Sequence, residues 1–494
     1  MGVTNQKQTA WKIVYTEFVG LERKAVELLN REAGKNIIRD TGVYTLYVLP
    51  IEKETAETKI ENNAFLIGEY DKSPLIQSLV SKNEIPEHGY FVRVLDHPDN
   101  ENASIVVITG NQKRDLFYGA EAFLSAYAVK YAPDGGGLKF SNSLFDDRKL
   151  WTATYTSAPQ FQTRGVFSWG HCINDYRAYI RDMARLGLNQ LILWNDFMPL
   201  NAKDIVDYAH EYGIEIIWGF AWGWTSGGCK STTDLSDEYL ATLKAQVLER
   251  FEREYAGQGD GIYFQSFTER TDDTIGGRTI ADAVTDFVND TAGELLKRYP
   301  SLHIQFGLHA TSVKNQLSAI ARVDKRIEIL WEDGGEFPFN FGNARISDYE
   351  AFDKEFENTL NFTKEILLLR GLDAPTGIVY KGFMKLNWLQ FAHQTGPYIL
   401  GENAEEIQKH DRQVRVDAWR ALTADWLKNG EYAHRFTSFI YELTKGKVNL
   451  CMAGTFDGGT YLPQAICAEM FWNIDREYPD IMKSAMDKSF VETC

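Results

Sequence analysis

The feature that most constrains the fold of this 494-residue chain is a rhythm that begins at Arg164. From there, short apolar runs at 165–169, 190–194, 215–220, 261–265, 303–307, 327–331, 377–380 and 448–452 alternate with helix-length amphipathic segments. Each run is bounded by turn residues and is too short for a buried helix, so each reads as a parallel strand covered on both faces. Eight strands with helical crossovers predict an α/β fold, the (β/α)8 TIM barrel. The barrel domain is expected over 159–475, with 476–494 as a closing C-terminal helix. Residues 404–446 exceed one crossover and read as several helices inserted before the eighth strand.

Ahead of the barrel lies a small α/β N-terminal domain, expected over 1–158. Leu21, Ala25, Leu28 and Leu29 mark one face of a helix, and β-rich runs follow at 42–49, 64–68, 90–94 and 104–110. An apolar helix at 116–131 and the Gly135-Gly136-Gly137 loop end the domain.

Charge narrows the range of partners. With 69 Asp+Glu against 52 Lys+Arg the net charge is −17, which repels phosphate backbones and anionic lipid, so neither nucleic acid nor membrane is expected as a partner. No stretch approaches the roughly 20 apolar residues of a membrane span, and the first residues lack the apolar run of a secretory signal. Cys172, Cys229, Cys451, Cys467 and Cys494 are scattered, odd in number and form no C-x-x-C pair, which reads as free thiols in a reducing cytoplasm. Self-association into a homo-oligomer is left open.

In such a barrel the reactive groups gather after the C-terminal ends of the strands. Glu269 follows strand four, and the adjacent Glu332 and Asp333 follow strand six, across the barrel mouth. Cleaving a glycosidic bond takes one carboxylic acid to protonate the leaving oxygen and a second carboxylate as nucleophile or base, a pairing these positions suit. Glu332 and Asp333 point apart on a strand, so one is expected to react and the other to support it. Aromatics make up 13% of the chain. Trp169, Trp194, Trp222, Trp224, Trp331 and Trp388 all stand near strand ends, where they either stack on sugar C–H faces or fill the upper core. Asn195, Asp196, His171, His309, Lys381, Asn387 and Asp457 are candidates to hydrogen-bond hydroxyls. Lys381, Lys385 or Arg164 would suit an acidic sugar.

Two rival readings use the same rim. His171, His309 and His393 with Asp196 or Asp457 offer imidazole and carboxylate ligands for a divalent metal, hence a metal-dependent isomerase, lyase or hydrolase. Against this, there is no His-x-His after strand one and no H-E-x-x-H helix. A non-catalytic carbohydrate-binding protein would keep the tryptophans without opposing carboxylates. No nucleotide-binding glycine motif opens a helix, and no cofactor is expected.

The segment Ser104-Ile105-Val106-Val107-Ile108-Thr109-Gly110 with Asp115-Leu116-Phe117-Tyr118-Gly119-Ala120 resembles the end of the domain that precedes the barrel in family 20 β-hexosaminidases and family 67 α-glucuronidases. Pro159-Gln160-Phe161-Gln162-Thr163-Arg164-Gly165-Val166 is similar to the family 20 lead-in to strand one, and 182–189 and 205–215 are also similar to that family. The resemblance implies that Arg164 holds sugar hydroxyls and that Glu269 is the general acid. Family 20 places an Asp before that Glu to orient the substrate's acetamido nucleophile. Here the residue is Thr268, so a protein carboxylate, Glu332 or Asp333, is required instead. The expectation is an exo-acting glycoside hydrolase on a terminal sugar, a hexosaminide or uronide, with Glu269 buried against Phe267 or a tryptophan to hold its proton.

Overall fold

The computed structural model describes residues 11–35, 49–127, 132–134, 137–139, 150–195, 197–224, 232–332, 334, 349–381, 396–454 and 461–493. The chain divides into two compact units, Met1–Pro159 with Glu211–Gly213, and Gln160–His210 with Ile214–Cys494.

The first unit is a mixed six-stranded sheet with helices. Its strands β1 (Lys12–Tyr15), β2 (Ile51–Lys53), β3 (Ala64–Glu69), β4 (Tyr90–His97), β5 (Asn100–Gly110) and β6 (Ala153–Ser157) are ordered β2-β1-β3-β5-β4-β6. β1, β2, β3 and β5 run parallel, whereas β4 is antiparallel to both its neighbours. Helices α1 (Gly20–Lys35), α2 (Pro74–Leu79) and α3 (Lys113–Tyr127) belong to this unit. Val14, Leu66, Ile76, Phe91 and Val107 share its core. Of the run expected at 42–49, all but Leu49 lies outside the described residues, as do Gly135 and Gly136.

The second unit is a closed parallel barrel. β7 (Thr163–Trp169), β8 (Gln190–Trp194), β9 (Glu215–Ala221), β10 (Gly261–Gln265), β11 (His303–Leu308), β12 (Glu328–Trp331), β13 (Thr376–Tyr380) and β14 (Asn449–Ala453) follow one another round the ring, and β14 pairs back to β7. Every apolar run singled out in the sequence falls on one of these strands. The crossovers carry α4 (Tyr176–Arg185), α5 (Ala202–Glu211), α6 (Asp237–Arg250), α7 (Ile280–Arg298), α8 (Leu317–Ile320) and α9 (Tyr349–Leu368). Asp175, Ser236 and Thr279 cap three of these helices, each side chain accepting a backbone N–H of the first turn.

The N-terminal end of the barrel interior is polar. Gln305 Nε2 donates to Gln190 Oε1 at 3.0 Å and to Glu328 Oε2 at 2.7 Å, and Asn449 Nδ2 donates to Gln190 Oε1 at 2.9 Å. His303 Nε2 lies 2.9 Å from the same Glu328 oxygen. Burying Glu328 is tolerable only because this network surrounds its carboxylate.

One expectation is corrected. Instead of several helices over 404–446 there is a single 40-residue helix, α10 (Glu405–Thr444), about 60 Å long at 1.5 Å per residue. No proline interrupts it, and Ala433, Phe436, Thr437, Ile440 and Thr444 form a continuous buried stripe along its last turns. Gly430 is a point of close approach within it. A Cβ there would meet the Trp426 ring at 3.1 Å and would overlap Tyr478, whose hydroxyl donates to the Trp426 carbonyl at 2.8 Å. The helix ends at Lys445 and Gly446, both with positive φ. α11 (Tyr461–Trp472) and α12 (Tyr478–Thr493) complete the chain. No helix of the described residues is long and apolar enough to cross a membrane.

Candidate active site

Side chains alternate in and out along each barrel strand, so the residues that meet at the mouth are decided by parity. On β10, Tyr263 and Gln265 share one parity. On β12, Glu328 and Leu330 share it, and Glu332 continues the series one step past the strand, its N–H still donating to the Leu308 carbonyl at 3.1 Å. Glu332 is fully buried. Gln265 Nε2 donates to its two oxygens at 2.7 and 2.8 Å, and the Tyr263 hydroxyl donates to Oε1. Lys381, just past β13, donates to Oε2 at 3.0 Å, and His309, just past β11, brings Nε2 within 3.1 Å of that same oxygen. Burial pushes the Glu332 carboxyl up, but the charges of His309 and Lys381, with hydrogen bonds from His309 and Tyr263, outweigh it and hold the group well below the usual carboxylate range.

Glu269 approaches the same His309 nitrogen. Its Oε2 lies 3.9 Å from His309 Nε2 and accepts the Trp224 indole N–H at 2.9 Å. The nearest oxygens of Glu269 and Glu332 are therefore no further apart than the sum of 3.1 and 3.9 Å. Acids from strands four and six do converge. The burial expected for Glu269 is not found, however, because its side chain is 47% exposed. Phe267 is turned away from it, 6.0 Å from Phe287 of α7, and Trp224 offers its N–H rather than its ring face.

Thr268 explains how this loop is held. Its hydroxyl accepts the His309 backbone N–H at 3.3 Å, and its carbonyl accepts the Ser312 hydroxyl at 2.6 Å, tying the turn after β10 to the turn after β11. A Cβ on Gly307 would stand 2.7 Å from Glu332 Oε1 and would overlap Tyr263. Gly307→Ala is therefore expected to cost about 1–3 kcal/mol, read as a lower denaturation midpoint; an unchanged midpoint would mean that the Tyr263–Glu332 pair yields freely.

The other expected residues divide clearly. Trp194 is at the mouth, its ring edge-to-face with Trp224 at 5.7 Å and with Tyr263 at 6.1 Å. His171 occupies the turn Gly170–Cys172 after β7. Three assignments need correcting. Trp222 is fully buried, stacked on Phe264 at 3.7 Å and edge-on to Phe287 of α7, so it is core and not a sugar platform. Trp331 has the opposite parity to Glu332 and faces Phe362 of α9 at 5.4 Å. Arg164 lies at the beginning of β7, the wrong end of the barrel. Its guanidinium is buried and donates to the carbonyls of Gly187, Phe161 and Gln162, so it does not hold sugar hydroxyls.

Asp196, Asp333, Asn387, Trp388, His393 and Asp457 lie outside the described residues. Tyr263 and Gln265 were not singled out in the sequence. Their signal is two polar side chains two residues apart on an otherwise apolar strand, the second one facing the rim. The metal reading gains nothing from His309, whose Nε2 faces two carboxylates with the Lys381 ammonium on one of them. Among the described residues, the acidic groups close enough to share an ion are Glu17, Glu22 and Glu69 of the first unit, where the Lys72 ammonium already lies 3.1 Å from Glu17 and 2.9 Å from Glu69.

No family model and no curated protein matches the chain. Solved structures do. The chain is similar to the family 20 β-N-acetylhexosaminidase from Streptomyces coelicolor at 10% identity and a TM-score of 0.48, covering 97% of this chain and 91% of that one. It is similar to a family 115 4-O-methyl-α-glucuronidase with specificity for decorated arabinogalactans at 12% identity and a TM-score of 0.48, over 98% of this chain and 59% of that one. A family 138 enzyme targeting pectin rhamnogalacturonan II matches at 12% identity and a TM-score of 0.46, over 98% of this chain and 53% of that one. The chain thus spans little more than half the length of the last two. At these identities and TM-scores the likenesses speak for neither reaction nor substrate, which rest on the geometry of the site.

Proposed function

We propose that the chain is an exo-acting glycoside hydrolase that removes a terminal sugar from a short oligosaccharide or glycoside. The observation that carries this reading is the meeting of Glu269 with the strand-six acid Glu332 at one imidazole nitrogen. Glu269, half-exposed at the mouth, is the carboxylic acid that protonates the leaving oxygen. Trp224, backed by the buried Trp194, offers the apolar surface on which a sugar's C–H face rests. Glu332, enclosed by four donors and without exposed surface, is the ionised anchor of the set, and the second reacting role goes to Asp333, the other acid that the sequence places after strand six. A separation of ~5 Å between the reacting carboxyls would give retention and ~6.5–9.5 Å inversion. The proposal includes a reducing cytoplasmic setting, supported by Cys172, Cys451 and Cys467 being buried free thiols.

The test is a panel of nitrophenyl glycosides that includes glucuronides and N-acetylhexosaminides, run on the wild type and on Asp333→Asn. Hydrolysis of one sugar, abolished in the variant without loss of folding, is the expected result. No hydrolysis anywhere on the panel would overturn the reading, and a fully active Asp333→Asn would return the second role to Glu332.

A further inference from the structure

His309 has an unusual set of neighbours for a buried imidazole. Its side chain is only 6% exposed, and Nε2 lies 3.1 Å from Glu332 Oε2 and 3.9 Å from Glu269 Oε2. Among the described residues, the Lys381 ammonium also stands in the cluster, 3.0 Å from the Glu332 oxygen that His309 approaches, and the Tyr263 hydroxyl donates to the other oxygen of that carboxylate. Strands four, five, six and seven thus contribute, in order, Glu269 with Tyr263, His309, Glu332 and Lys381. Among the described residues, His309 is the group whose Nε2 faces both acids. Its backbone is fixed as well, through its N–H to Thr268 and through the Thr268 carbonyl to Ser312.

We propose that His309 is a positioning residue that works as a standing imidazolium, held by the Glu332 carboxylate and in turn orienting the Glu269 carboxyl through Oε2, so that Oε1 is left to carry the proton that the leaving group takes. An opposite charge within about 4–6 Å favours the charged form of a group, and here two acids flank one nitrogen. The Trp224 N–H and His309 Nε2 both face the same Glu269 oxygen, Oε2. The charge state stands on this geometry alone, whereas its consequence for turnover rests on the glycosidase reading.

The two are tested separately. Full-length protein carrying isotope-labelled histidine is titrated by NMR, with the His309 resonances assigned by their loss in His309→Gln. An ordinary imidazole with a pKa of about 6.5 is almost wholly neutral by about pH 8; His309 is expected to remain protonated there. Titration at or below the ordinary value in the folded protein overturns the proposal, whether or not any glycoside is hydrolysed. Should His309→Gln fail to fold, Glu269→Gln serves instead. Removing one flanking carboxylate is expected to move one histidine titration to lower pH, and a spectrum in which no histidine responds also overturns it. With a substrate in hand, His309→Gln is expected to lower kcat on the order of 10²-fold with KM within about twofold, as misplacement of a reacting group does. A change confined to KM would remove His309 from the positioning role. If the wild type hydrolyses nothing while His309 stays charged, the glycosidase reading fails and the charge assignment survives.

Discussion

Glu269→Gln is expected to lower hydrolysis of a glycoside with a sugar leaving group by about a thousandfold, roughly 4 kcal/mol of barrier, with the fold intact. Gln keeps the size and the acceptor for the Trp224 N–H but has no proton to give. The leaving group sharpens the test. A nitrophenolate departs with little help, so if Glu269 is the acid the loss is much smaller on the aryl glycoside than on the oligosaccharide. Equal losses on both would mean that Glu269 attacks the sugar instead, and full activity on both would remove it from the reaction. Stability is expected to move by no more than about 0.5 kcal/mol, because the side chain is half-exposed and its approach to the buried His309 is long, at 3.9 Å.

Glu332→Gln is expected to act through stability, lowering it by about 3–5 kcal/mol at neutral pH. Removing the carboxylate charge leaves His309 and Lys381 facing each other around a neutral amide. Lys381, at 30% exposed, can swing toward water; His309 cannot. The effect depends on pH. The folded-state pKa of Glu332 lies below its unfolded value, so its contribution is fully present above the usual carboxylate range and is lost as pH falls through that range toward the lower folded value. Denaturant melts of wild type and variant should therefore differ most at neutral pH and draw together between about pH 5 and pH 3. Parallel curves across that range would show that Glu332 is not held as an anion, and the anchor assigned to it would fall.

The two tryptophan corrections have one physical origin. A barrel strand is buried on both faces, so hydrophobicity marks where it runs but not which residue turns inward. Trp331 and Glu332 are neighbours in the chain, yet one packs on α9 and the other enters the mouth. Trp222, read as a platform, stacks on the outward-facing Phe264. Arg164, charged and close to a strand, finds its acceptors in backbone carbonyls at 161, 162 and 187, which no local pattern announces.

What the amino-acid order determined by itself is the succession of strands and the rim positions that follow them. Runs such as 190–194 and 261–265 begin and end where the structure begins and ends β8 and β10, because a strand covered on both sides must be apolar almost throughout. What only closure of the ring decided is the electrostatic character of the mouth. Residues 263, 269, 309, 332 and 381 meet because four neighbouring strands end at one level, and whether a carboxylate there is half-exposed or sealed among four donors depends on distances that exist only once the barrel has closed.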